Sequence, residues 1–290
     1  MEKEINFVRS WNAHLNERQL VGVIVAMDRE LEMIEQSDAF EFVGEMGTGY
    51  FNVPMYAYKY TTPAGETVDI VVAKSGIGKV NAAVATTELI NHCIPDYVIS
   101  TGVCGTLSRQ IVVQNDVYMP QFVTYYDVYC GSPNRIGQVQ DYPDRYDTLF
   151  SSEELIEKVI DDVDIPEHKF YTGYSYPIIS GDMFVEDKDI ANHIESFGYP
   201  LSDFCDCGID MESTAIAQVC YRANVPFGTV RIVSDAPQRA EWLKSCRYED
   251  FWDKAPDTLH RILRSVIDHA TYIRNYQSQS SFNIPGDGQQ

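Results

Sequence analysis

The sequence predicts a single α/β domain with a central mixed, partly barrel-like sheet flanked by helices. Three observations carry that reading. Residues 21–26 and 97–100 are continuous apolar runs, the pattern of strands covered on both faces. Strand patterns alternate with helical ones. Residues 21–26 lead into a helix start at Met27-Asp28-Arg29-Glu30-Leu31, residues 68–74 precede a helix at 79–92, and a helix opening on acids near 210–217 precedes the apolar strand 228–235. No internal repeat and no linker divides the 290 residues, a length able to bury a sizeable core.

The elements follow in order. Residues 1–19 alternate charge with Phe7, Val8, Trp11 and Leu15, which suits a short amphipathic helix ahead of the domain. The helix after strand 21–26 carries acids in its first turn, where the helix dipole favours them. Strands are expected near 40–46, 53–60 and 68–74, and the loop Ser75-Gly76-Ile77-Gly78 then opens the helix at 79–92. Strand 97–100 runs into a second glycine-rich turn, Thr101-Gly102-Val103-Cys104-Gly105. Residues 111–129 are β-rich, and 130–147, with their Gly, Pro, Asn and Asp, read as a long surface loop. A helix near 151–162, a strand near 170–179 and the loop Ser180-Gly181-Asp182-Met183-Phe184 come next. A C-terminal helix is expected over about 248–272, and the Ser, Gln, Gly and Pro of 277–290 read as a disordered tail. The domain proper is therefore placed at 20–276, between an extension at 1–19 and a tail at 277–290.

Composition narrows the function. With 44% hydrophobic and 22% charged residues, the chain has the make-up of an ordinary globule. A formal charge of −21 argues against nucleic acid or an anionic membrane as partner, because both are polyanions. It leaves room for a small ligand in a locally positive pocket. No run approaches the ~18 apolar residues of a membrane span, and residues 1–20 lack the apolar segment of a signal peptide. Seven cysteines are scattered, and Cys205-Asp206-Cys207 lacks the two-residue spacer of a zinc or redox pair. Reduced thiols in a cytoplasmic protein are expected, with no metal and no organic cofactor.

Several residues suggest a site, each with a plainer reading beside it. Ser75-Gly76-Ile77-Gly78-Lys79 brings backbone N–H groups to a helix start, where they can approach a ligand, but it is not a Walker A loop and serves equally as a structural turn. Glu30 follows a buried strand, as a general base for water or as a solvated first-turn acid. Asp235 ends an apolar strand, a common place for chemistry in an α/β fold, yet it precedes Pro237 and suits a turn. Glu212 and Asp235 could share one pocket, one binding sugar hydroxyls and the other handling a proton, although Glu212 also suits a helix's first turn. Phe184 reads as core or as a stacking platform for a flat base.

The order of these segments is more specific than any one of them. Val25-Ala26-Met27-Asp28-Arg29-Glu30, Ser75-Gly76-Ile77-Gly78-Lys79-Val80, Pro95-Asp96 through Thr101-Gly102, Ser180-Gly181-Asp182-Met183-Phe184, Asp210-Met211-Glu212-Ser213-Thr214-Ala215-Ile216-Ala217 and Val230-Arg231-Ile232-Val233-Ser234-Asp235 follow one another from about residue 21 to 255. This series resembles the nucleoside phosphorylase/nucleosidase superfamily, most closely its 5′-methylthioadenosine/S-adenosylhomocysteine nucleosidase branch. The resemblance implies that Asp235 protonates N7 of a departing adenine, that Glu30 activates the attacking water and that Glu212 binds the ribose hydroxyls. It implies that Met211 packs on the sugar, that Phe184 stacks on the base, that the Val185 backbone reads the base edge and that Tyr248 covers the pocket. Met27, Ile77, Val103, Gly105, Asp210 and Ser234 are implied as further substrate-binding positions. A homodimer is implied as well, with residues 111–140 crossing its interface.

Breaking the C1′–N9 bond leaves an oxocarbenium-like ribose and an anionic purine, so an acid for the base and negative charge near the sugar suit the reaction. Phosphorolytic relatives hold phosphate with arginines and a serine. Here Glu30 stands at one such place, Ser100 and Thr101 at another, and Val103 in place of the serine. A phosphate dianion buried without cations costs many kcal/mol, so water is the expected nucleophile. Arg231 is the remaining cation on that strand. Val103 also departs from the small hydroxyl residue of the hydrolases, and Ser132, Pro133, Asn134 and Gln140 stand where relatives offer aromatics over the 5′-alkylthio group. A plain adenosine or a 5′-nucleotide as substrate, a phosphate-dependent purine nucleoside phosphorylase, and a non-catalytic nucleoside sensor are the alternatives.

Overall fold

In the computed structural model, residues 19–46, 51–108, 112, 114–163, 165, 168–186, 188–196, 206–236, 251–252 and 256–269 are described. Residues 1–18, the tail 277–290 and Tyr248 lie outside them.

Strand β1 (Gln19–Val25) is buried because it lies between β4 (Thr67–Lys74) and the start of β5 (Tyr97–Ser108), parallel to both. Antiparallel pairing extends this arm to β3 (Met55–Thr61) and β2 (Phe40–Met46). The two-residue period of a strand then divides the apolar run between two cores. Val21, Val23 and Val25 face Leu31 of α1 (Asp28–Glu35), Val159 of α3 (Glu153–Val163) and Ile262 of α6 (Pro256–Asp268). Leu20 and Ile24 face Ala82, Ala85 and Leu89 of α2 (Lys79–Cys93) and Ile216 of α5 (Ser213–Ala223). An uninterrupted apolar run is what a sheet with helices on both faces requires.

Strand β5 is the branch point. Along 98–105 one edge is paired in parallel with β12 (Phe227–Asp235). The other edge pairs with β1 over 97–100 and then, antiparallel, with β11 (Asp206–Asp210) from Gly105 onward. From β12 the ladder passes to β6 (Val117–Pro120) and β9 (Phe170–Gly173), and from β11 to β10 (Ile178–Ser180), β7 (Phe122–Tyr125) and the short β8 (Tyr146–Asp147). Since β6 runs through Gln121 into β7, the two branches rejoin and form the barrel-like part of the sheet. There α4 (Lys188–Glu195) packs Ala191 and Ile194 over Ile179, Cys207 and Ile209.

Two local expectations are corrected. Residues 101–105 are not a turn: pairing with β12 carries β5 straight through them. The strand expected near 170–179 is two strands, separated at Tyr174–Pro177 by a turn whose proline has no N–H to offer a ladder. Of the expected C-terminal helix, the described part is Pro256–Asp268.

Candidate active site

Between the ends of β1 and β11, residues 101–104 of β5 have no strand partner on that edge among the described residues. A cavity of about 310 Å³ opens there, at the C-terminal ends of β1, β11 and β12. Such a crevice is where an α/β sheet leaves backbone groups free to meet a ligand. Four carboxyl groups line it: Glu30, Asp210, Glu212 and Asp235.

Glu30 is placed by the start of α1. Met27, at the N-cap, has no polar side chain, and Glu30 Oε2 instead accepts the N–H groups of Ala26 at 2.7 Å and Met27 at 3.1 Å. Its Oε1 accepts the N–H of Val103 at 2.9 Å, which serves a donor that β5 would otherwise leave unpaired. At 2% exposure Glu30 is not a solvated first-turn acid. Burial raises its pKa above the ordinary carboxylate value, against the lowering influence of Arg231 and the three N–H donors.

Close contact at this point depends on Gly102. Its φ is +151°, and a Cβ there would fall 2.0 Å from Glu30 Oε1 and 2.6 Å from Arg231 Nη1. Gly102→Ala is therefore expected to displace the Glu30 carboxylate and to destabilise the fold by about 2 kcal/mol, read as a lower urea midpoint. An unchanged midpoint would contradict this placement.

Arg231 ties the acids together. Buried in β12, it sets Nε 3.1 Å from Asp210 Oδ2, Nη1 3.8 Å from Glu30 Oε1 and Nη2 3.9 Å from Glu212 Oε2. Nη2 also donates to Ser100 Oγ at 2.8 Å. A guanidinium suits this place because it stays charged and spreads its donors in a plane. Asp210 is largely occupied by internal partners. Its Oδ1 accepts from Ser180 Oγ at 2.6 Å, and its Oδ2 accepts from Arg231 and from the Ser213 hydroxyl.

Glu212 is the N-cap of α5 rather than a first-turn residue. Its Oε1 accepts the Gly78 N–H at 2.8 Å and its Oε2 the Met211 N–H at 3.3 Å, so the Ser75–Gly78 turn and the β11–α5 corner meet at one carboxyl. Burial first, then neighbouring Asp210, push its pKa up to about 7, with Arg231 opposing. Asp235, at the end of β12, accepts from Ser234 Oγ at 2.7 Å, and burial raises its pKa. Its carboxyl lies over Gly105, where a Cβ would stand 3.4 Å from Oδ2.

Two lips flank the opening: Ile77, 52% exposed, and Phe184, 56% exposed. Met27, Val103, Gly105, Val185, Met211 and Ser234, also expected here from the sequence, line the cavity as well; Tyr248, expected to cover it, lies outside the described residues. Ala26, Cys104, Met183 and Ile209 line it too, unforeseen. Simple adjacency to Met27, Val103, Phe184 and Asp210 was the signal that could have found them.

The family model for the phosphorylase superfamily matches residues 20–268. The chain belongs to the phosphorylase superfamily. Among superfamily members, a 5′-methylthioadenosine/S-adenosylhomocysteine nucleosidase of Staphylococcus aureus (strain MRSA252) is 33% identical over 249 residues, 86% of this chain and 99% of that protein. The crystal structure of the nucleosidase of that name from Neisseria meningitidis, in complex with methylthio-immucillin-A, is similar with a TM-score of 0.68 at 28% identity, covering 86% of this chain and 99% of the other. Futalosine hydrolase of Helicobacter pylori strain 26695 is similar at a TM-score of 0.68 and 25% identity, covering 86% and 97%. The nucleoside phosphorylase-like fold expected from the sequence is thus the fold of this superfamily member.

Proposed function

We propose that the chain hydrolyses the N-glycosidic bond of an adenine nucleoside of the 5′-methylthioadenosine/S-adenosylhomocysteine type and releases adenine. One observation carries the choice of water over phosphate. Among the described residues, those lining the cavity include four carboxyl groups and no Lys, Arg or His, and Arg231 beneath them already faces three of the acids. Such a site repels a phosphate dianion and suits a developing oxocarbenium ion. The same charge disfavours a 5′-nucleotide as substrate.

In this reading each acid has one task. Asp235, whose burial raises its pKa and favours the protonated form, donates to N7 as the C1′–N9 bond breaks. Glu30 accepts a proton from the attacking water; with three of about four lone-pair positions filled by N–H donors, the remaining one points the water. Glu212 keeps the positions not used by Gly78 and Met211 for two ribose hydroxyls. Phe184 and Val185 hold the base, Met211 packs against the sugar, and Asp210 positions Arg231. Relatives named as nucleosidases over nearly their full length support the assignment.

Chromatography of free adenine after incubation with methylthioadenosine, adenosylhomocysteine, adenosine and AMP, with and without phosphate, tests it. Adenine released without phosphate is expected; turnover that requires phosphate would overturn hydrolysis. Glu212 adds a pH signature. A carboxyl must be ionised to accept from two hydroxyls, so kcat/KM should fall below an apparent pKa of about 7. Glu212→Gln should remove that acid limb, and a limb that persists unchanged would assign it elsewhere. We further propose a cytoplasmic homodimer joined through the 111–140 region. Supporting this are free cysteines, four of the five described ones buried, an exposed Tyr129, and a cavity that no described residue of 111–140 lines. Sedimentation equilibrium distinguishes dimer from monomer.

A further inference from the structure

The geometry points to a closed ring of Lys79, Asp127 and Asp182 as a positioning device that holds the two lips of the nucleoside slot at a fixed spacing and so governs substrate affinity. The inference rests on the nucleosidase reading of the site. It begins with an unusual helix start. Gly78, the N-cap of α2, has no side chain to satisfy the first free N–H groups of that helix. Two carboxylates from elsewhere do so: Glu212 accepts from Gly78 N–H at 2.8 Å, and Asp182 Oδ1 accepts from Lys79 N–H at 3.1 Å. Both acids sit at the positive end of the helix dipole, which favours them there.

The remaining bonds close the ring. Lys79 Nζ lies 2.8 Å from each oxygen of Asp127, and Asp127 Oδ2 accepts the N–H of Asp182 at 2.9 Å. Lys79 Nζ also stands 3.4 Å from Asp182 Oδ2 and 5.4 Å from the centre of the Tyr125 ring. Three loops, at 75–79, 125–127 and 181–182, are therefore bound to one another. The first carries Ile77 and the Gly78 donor to Glu212; the last leads directly into Met183, Phe184 and Val185. Tyr126 reinforces the third side: its hydroxyl accepts from Met183 N–H at 3.2 Å, and its ring fills the space that a side chain on Gly181 would occupy. None of the three ring residues lines the cavity, which sets them apart from the groups assigned to the substrate.

A device that orients binding groups without entering the chemistry changes ground-state and transition-state binding alike. Lys79→Met and Asp182→Ala should each raise KM about tenfold with kcat within about twofold, and Lys79→Arg should recover most of the loss. Hydrogen exchange of the amides at 181–186 should accelerate in both variants. Asp182 is half-exposed, so its variant keeps the test intact if Lys79→Met fails to fold. Variants that lose kcat with KM unchanged, or that leave both KM and exchange at wild-type values, overturn the inference. Adenine release by the wild type is measured in parallel. Its absence would sink the nucleosidase reading, while the exchange measurement still judges the ring.

Discussion

Asp235→Asn is expected to reduce adenine release by about three decades while leaving nucleoside affinity within a few-fold. The amide is close in size and keeps an oxygen for the Ser234 hydroxyl, which donates to Asp235 Oδ1 at 2.7 Å, so the pocket retains its shape. What it loses is the proton. Expulsion of an adenine anion is poor chemistry without an acid at N7, and burial shifts Asp235 toward the protonated form relative to an exposed aspartate. The sign of the pH dependence follows. With its pKa raised, Asp235 is competent below that value and kcat should decline as pH rises through it. In the variant the alkaline limb should vanish along with the rate. Single-turnover adenine release combined with equilibrium binding of a non-hydrolysable nucleoside separates the two effects. Parallel loss of binding and rate would mean that Asp235 anchors the ligand rather than protonating it, and wild-type turnover in the variant would exclude it from the chemistry.

Arg231→Met should be the most destabilising single change in the site, by about 3–5 kcal/mol at neutral pH. The side chain length is roughly kept, so the effect is electrical. Glu30, Asp210 and Glu212 lose the cation that stands 3.1–3.9 Å from each of them, where all four side chains are buried. Glu30 and Glu212 already have pKa values raised by burial, with Arg231 opposing the rise. Without Arg231 they rise further. A carboxyl whose folded pKa exceeds its unfolded value stabilises the fold while protonated, and that contribution is lost as pH rises through the folded value. The stability gap between wild type and Arg231→Met should therefore be smaller at pH 5 than at pH 8, measured by urea unfolding. A gap independent of pH would show that Arg231 contributes packing alone.

The legible part of the site was its acids, and the reason is local. Strand ends and helix starts are marked by short-range pattern, and Glu30, Glu212 and Asp235 each stand at such a junction. The apolar runs of β1 and β12 likewise announced burial on both faces, and alternate residues of each strand pack into the cores on either side of the sheet. Thr101 to Gly105 misled because its glycines resemble a turn. Pairing with β12, more than 120 residues away, decides otherwise. Arg231 was read only as the remaining cation on its strand, although a charged residue within an apolar strand needs partners from somewhere.

Residue order alone determined the α/β class, the alternation of strands and helices, and the identity of the acids, because these depend on periodicity and on chemistry carried by single side chains. Tertiary structure decided which acids share a guanidinium, which carboxyls cap a helix that lacks its own cap, and which of them have their pKa raised by burial. Those outcomes depend on distance and on exclusion of water, and neither is encoded within any one segment. They arise only when β1 and β11 part along β5 and leave a gap between them lined by buried carboxyls.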